Sequence, residues 1–153
     1  MDQHVKARLT QVLDAEGLDV LVATTPENLQ YVTGFRSVAH ALFRGLELYG
    51  VFTRKGVGLV IPFIDSTGVS ADGIQVDRMA CYGNFFFNYA DDPGPIGARV
   101  REITSKPAAG PGEALREILD GFGVAAGRIA VDEAGVFPAT WQRLPLQPSA
   151  PTR

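Results

Sequence analysis

Apolar residues recur at Val5, Leu9, Val12 and Leu13, a spacing of i, i+4, i+7 and i+8 that lays one stripe along a helix. Gly17 supplies the left-handed residue that stops it. Leu18 to Thr24 follows as a compact run holding Val20, Leu21 and Val22, too short for a free-standing helix and rich in branched side chains. It predicts a strand buried on both faces. Thr25 and Pro26 then offer an N-cap and a first helical residue with φ already set, predicting a short helix over 26–31 ended by Gly34. A helix running straight into a buried strand suggests an α/β layer.

A loop holding Arg36, His40 and Arg44 comes next. Leu48 to Thr53 and Val57 to Ile61 are β-rich and joined through Lys55 and Gly56, the pattern of a hairpin. Ile74 to Tyr82 predicts another strand, closed by Gly83 and followed by Phe85, Phe86, Phe87 and Tyr89 before a breaker cluster from Asp91 to Pro95. Leu115, Ile118, Leu119 and Phe122 return to helical spacing, with Gly121 or Gly123 as its end, and Ile129 to Asp132 supplies a short strand behind it. The opening helix-then-strand unit thus recurs near the end. Biased composition is confined to 106–112 and to a tail with three prolines between Pro145 and Pro151, an extended composition typical of a linker.

With 153 residues, 46% of them apolar and 20% charged, the chain suffices for one domain with a proper core, and a disordered polymer is excluded. Seventeen acidic side chains against 14 Lys and Arg give a net charge of −3. That balance, without a basic block, removes the electrostatic footprint that nucleic acid or an anionic membrane surface requires. The longest apolar run, Val57 to Ile64, is interrupted by Gly58 and Pro62 and falls far short of the roughly 20 residues that cross a bilayer. No secretory signal is visible at the N-terminus, and Cys81 is the one cysteine, so a cytoplasmic location is expected.

Hydrolysis of the metal-dependent kind needs several Asp, Glu or His ligands converging on an ion with an open position for water. His4 and His40 have no second ligand at i+2, i+3 or i+4. The adjacent pairs Asp91–Asp92 and Asp132–Glu133 diverge in any regular backbone and read as solvated turns or strand ends. Neither a catalytic residue nor a metal ligand is therefore assigned. Cys81 reads as a small core hydrophobe, since a buried thiol stays protonated. Lys55-Gly56-Val57-Gly58 looks like part of a phosphate loop but joins two strands, so it reads as a hairpin turn. The run Phe85–Phe87 reads first as core and second as a dimer seam. What remains is Arg36, His40, Phe43 and Arg44, cations and an aromatic on one long loop. They suit an anion-binding edge presented to a neighbour, against the plainer reading of a solvated loop with Phe43 tucked beneath it.

The stretch Asp14-Ala15-Glu16-Gly17-Leu18-Asp19-Val20-Leu21-Val22, continuing through Thr25-Pro26-Glu27-Asn28-Leu29-Gln30-Tyr31-Val32-Thr33-Gly34-Phe35, resembles the N-terminal domain of the creatinase/prolidase family. Gly127-Arg128-Ile129-Ala130-Val131-Asp132-Glu133, with Pro138, Trp141 and Leu144 after it, resembles the end of the same domain. The resemblance implies an α/β fold, a mixed and mostly buried β-sheet flanked by helices with a ribonuclease H-like motif. It implies a domain over 1–144 and, over 145–153, a Pro-rich tail or the start of a linker to an absent catalytic domain. In the family that second, pita-bread domain holds two divalent ions, manganese, cobalt or zinc, through two Asp, one His and two Glu, none of which maps onto this chain. The function it implies is that of a noncatalytic N-terminal domain of an Xaa-Pro dipeptidase or aminopeptidase, serving oligomerisation and substrate access. A homodimer and a proline-containing peptide substrate of the parent enzyme follow from the same likeness. Carried onto this chain, the substrate-contributing residues are Arg36, His40, Phe43 and Arg44, a guanidinium holding a carboxylate bidentately and Phe43 walling the pocket. Two alternatives stand beside this: a stand-alone small-molecule binding domain, and a parent that is a creatinase-like amidinohydrolase.

Overall fold

A computed structural model of the chain describes residues 1–43, 45–86, 88 and 91–132. Arg44, Phe87, Tyr89, Glu133, Pro138, Trp141, Leu144 and the tail 145–153, all singled out above, lie outside the described residues. Strands β1 (Val20–Ala23), β2 (Tyr49–Thr53), β3 (Gly56–Pro62), β4 (Arg78–Tyr82) and β5 (Ile129–Val131) form one mixed sheet in the order β4-β3-β2-β1-β5. The three middle strands are antiparallel, with Tyr49 opposite Val60 in the predicted hairpin and Val20 opposite Thr53. The outer strands join in parallel, Val20 beside Ile129 and Pro62 beside Tyr82. The expected α/β class and mixed sheet are thus what the chain forms.

Helices cover both faces, which explains why the strands read as continuous apolar runs rather than alternating ones. On one face α6 (Pro111–Phe122) buries Leu115, Ile118, Leu119 and Phe122 against Val20, Val22, Val51 and Val60. Gly58 makes that approach close: a Cβ there would meet Ile118 Cγ2 at 2.5 Å. On the other face α1 (Gln3–Glu16) and α2 (Pro26–Thr33) pack Leu13 and Val32 with Phe52 and Val57. Full burial of each such side chain stabilises the fold by roughly 1.5–3 kcal/mol.

The caps work as the sequence predicts. Gly17 ends α1 at φ 61°, Gly123 rather than Gly121 ends α6 at φ 68°, and Thr25 accepts from the Asn28 N–H at the start of α2. Elsewhere the structure corrects the reading. The α1 stripe buries Leu13 completely, but Val12 points outward and is 43% exposed. Helix α2 runs to Thr33, two residues past the expected end. The predicted strand from Ile74 begins only at Arg78, because Asp77 turns its carboxylate onto the Val57 N–H at 2.8 Å. The loop after Gly34 contains a five-residue helix, α3 (Val38–Leu42). Short α4 (Ser66–Ala71) was too brief to show a period. The breaker cluster before Pro95 is the start of α5 (Gly94–Ile103), since a proline in the first turn gives up an N–H that has no partner there anyway.

Asp132 is the largest correction. Instead of a solvated strand end, its carboxylate accepts from the Thr24 N–H at 2.6 Å, the Thr24 hydroxyl, the Thr25 N–H and hydroxyl, and Asn28 Nδ2 at 2.7 Å. It therefore ties the end of β5 to the β1–α2 junction and places a negative charge at the N-terminus of α2, where the helix dipole favours it. Asp132→Ala is expected to lower the unfolding free energy by about 1.5–3 kcal/mol, the range for hydrogen bonds to a charged group. Urea unfolding followed by circular dichroism reads it, and a loss below about 0.5 kcal/mol would mark the clamp as ordinary surface.

Candidate functional site

Because Tyr49 pairs with Val60 and Pro62 with Tyr82, β2 begins and β3 and β4 end at the same end of the sheet. Three connections leave from there: the segment carrying α3, the 3₁₀ turn Phe63–Asp65, and the stretch after Gly83. Two carboxylates are buried among them, Glu47 and Asp65, at 7% and 6% exposure. Ser37 joins α3 to this centre. Its hydroxyl donates to Asp65 Oδ2 at 2.7 Å and accepts the His40 N–H at 2.8 Å, so one side chain caps the helix and docks it. The Tyr82 hydroxyl donates to the Glu47 carbonyl at 2.9 Å and accepts the Glu47 N–H at 3.1 Å, while the Tyr49 hydroxyl donates to the Glu47 carboxylate.

Burial sets the protonation of this centre. It raises the Asp65 carboxyl above its ordinary value, against the pull of the Ser37 hydrogen bond and of His40. It pushes the Tyr82 phenol up to about 12 and the Cys81 thiol up to about 12. Both keep their protons at neutral pH, and Cys81 is the core hydrophobe the sequence suggests rather than a nucleophile. His40 is half-buried, and its Nδ1 is buried without a hydrogen-bond partner among the described residues.

Of the four residues assigned to substrate, Arg36 is exposed, His40 is half-buried in α3, and Arg44 is outside the described residues. Phe43 is 51% exposed, so it is not tucked under the loop. Around it Val38 and Leu42 are each 70% exposed. The core reading of the aromatic run fails for Phe85 at 46% and Phe86 at 93% exposure. The reason lies in the ladder: Ala108 takes the position beside Tyr82, donating to the Cys81 carbonyl at 2.8 Å and accepting from the Gly83 N–H. Gly83 at φ 79° then turns the chain off the sheet, and no core position is left for the rings. Phe85 and Phe86 thus leave the same end of the sheet as α3.

Sequence reasoning missed Ser37, Glu47, Asp65 and Tyr82. Only Ser37 carried a signal, as a capping residue ahead of Val38 to Leu42. No group of three or more His, Cys, Asp or Glu among the described residues is arranged to hold a metal ion. The two buried carboxylates, Glu47 and Asp65, accept from the hydroxyls of Tyr49 and Ser37. No described helix is long and apolar enough to cross a membrane.

The raised Asp65 fixes the sign of a pH effect. The folded protein holds this proton more tightly than the unfolded chain, so its contribution is fully present below 3.8 and is lost as pH rises through the folded value. The stability of the native chain minus that of Asp65→Asn is therefore expected to rise as pH falls through the folded Asp65 value and to level off below 3.8. Urea midpoints of the two proteins across this range measure it; a difference constant with pH would show that Asp65 titrates as it does in water.

The chain matches the creatinase/prolidase N-terminal domain family over residues 6–148. No curated protein is significantly similar in sequence. Solved structures share the fold at low identity. The N-terminal domain of an Xaa-Pro dipeptidase from Lactobacillus brevis superposes with a TM-score of 0.60 at 15% identity, covering 98% of this chain and 91% of its own. The corresponding domain of an X-Pro dipeptidase from Streptococcus pyogenes gives 0.58 at 16%, covering 94% and 86%. A proline dipeptidase from Streptococcus pneumoniae gives 0.57 at 18%, covering 94% and 83%. With a match that spans nearly its whole length, the chain belongs to the creatinase/prolidase N-terminal domain family.

Proposed function

We propose that this chain is a noncatalytic N-terminal domain of an Xaa-Pro dipeptidase or aminopeptidase, serving assembly and substrate access for a separate two-metal catalytic domain. The observation that carries the reading is the crowding of exposed apolar side chains at one end of the sheet. Val38, Leu42 and Phe43 of the α3 segment and Phe85 and Phe86 after β4 all stand out there. Several large apolar side chains exposed at one end of a sheet are better satisfied by a partner than by water. Arg36, exposed beside it, offers a guanidinium whose planar fork suits a peptide carboxylate. In this reading the catalytic domain holds the divalent ions and cleaves a proline-containing peptide, and a homodimer brings the sheet end of one subunit over the active site of the other. A cytoplasmic location suits the single buried cysteine.

Two measurements test it. The purified chain supplied with Mn²⁺, Co²⁺ or Zn²⁺ is expected to leave an Xaa-Pro dipeptide uncleaved, and clear metal-dependent turnover would overturn the noncatalytic assignment. In a protein joining this domain to its catalytic partner, Arg36→Ala is expected to lower kcat/KM for the dipeptide about tenfold or more, chiefly through KM. That is the size of one charge-assisted hydrogen bond. An unchanged kcat/KM would remove Arg36 from substrate binding.

A further inference from the structure

A second exposed surface lies on the outer side of α1. Arg8, Leu9, Val12, Ala15 and Glu16 line an open groove of about 530 Å³ against Tyr31 of α2. Val12, which continues the apolar spacing of α1, and Tyr31 remain 43% and 42% exposed. Arg8 and Glu16 are both exposed, and the ion pair found among the described residues, Arg54–Asp14, involves neither. Glu16 is moreover the last residue of α1, at the carbonyl end where the helix dipole disfavours an anion. Among the described residues this charge has no ion-pair partner.

The order of side chains along the groove is symmetric about Val12. Arg8 and Glu16 stand one i+4 step to either side, and Leu9 and Ala15 one i+3 step. We propose that α1 pairs antiparallel with α1 of a second copy of this chain about a two-fold axis at Val12. Val12 then meets the partner's Val12, Leu9 fills the space over the partner's Ala15, and Arg8 faces the partner's Glu16 twice over. A rise of 1.5 Å per residue puts each charge about 6 Å from the axis, within reach of long side chains. The residues form an i±4 ridge, the kind that interdigitates with its own copy. A parallel arrangement would set Arg8 against Arg8 and Glu16 against Glu16, so the charges fix the orientation as well as the partner.

The seam is small, in the class that buries less than about 1,200 Å², and so forms a weak dimer that salt loosens by screening its rim. It shares no residue with the sheet end bearing α3, and either surface can fail its test without touching the other.

Sedimentation of the full chain at low salt, up to about 1 mM, tests the pairing. Association is expected, with Arg8→Glu and Glu16→Arg each weakening it about tenfold or more and the double variant R8E/E16R restoring it. Both substitutions fall on exposed positions, and the double variant places its charges in the sense the dipole favours, so circular dichroism should show the fold intact. A chain that stays monomeric throughout, single reversals without effect, or a double variant that fails to regain association would each overturn the proposal.

Discussion

Two carboxylates are taken out of water at one end of this sheet, and the elements that meet there are placed by how those charges are satisfied. A buried charge without partners costs several kcal/mol, so Glu47 and Asp65 persist only where hydroxyl and backbone donors reach them. Ser37 supplies one donor and thereby fixes α3 onto the 3₁₀ turn; Tyr49 supplies another from β2; Tyr82 clasps the Glu47 backbone from β4. Arg36 and Phe43 inherit their positions from that network.

The other edge of the sheet, where β1 and β5 pair, is held by a comparable device. Asp132 gathers donors from Thr24, Thr25 and Asn28, closing β5 onto β1 where the two helix-then-strand units meet. Between these polar clamps the sheet is apolar on both faces, with Leu59, Val60 and Ile61 wholly buried in succession on β3. Both clamps lie at the end of the sheet where β1, β3, β4 and β5 finish and β2 begins, one toward each edge, so the exposed apolar residues leave from the same end that the carboxylates fasten.

How much of this the sequence shows depends on how local the cause is. The hairpin, the Thr25 and Gly17 caps and the α6 stripe follow from neighbours within one turn or one strand pair, and those were legible. The breaker cluster before Pro95 misled because proline opens a helix as readily as it ends one. Phe85 and Phe86 misled because Ala108, more than twenty residues on, occupies the ladder beside Tyr82. Glu47, Asp65 and Asp132 were unreadable for the same reason: whether an acid sits in water or in a nest of donors is decided by residues distant in the chain. The family resemblance was legible from the 14–35 and 127–133 stretches, while the network that positions Ser37 and His40 was not.

Photo-cross-linking from position 86 tests most directly whether the exposed end of the sheet faces a catalytic domain. Phe86 is 93% exposed, so a benzophenone side chain there leaves the fold undisturbed. In a protein joining this chain to a two-metal catalytic domain, irradiation is predicted to capture peptides from that domain, and capture should fall when a dipeptide inhibitor fills the active site. Capture confined to solvent or to this domain's own residues, in an assembled and active enzyme, would contradict the account.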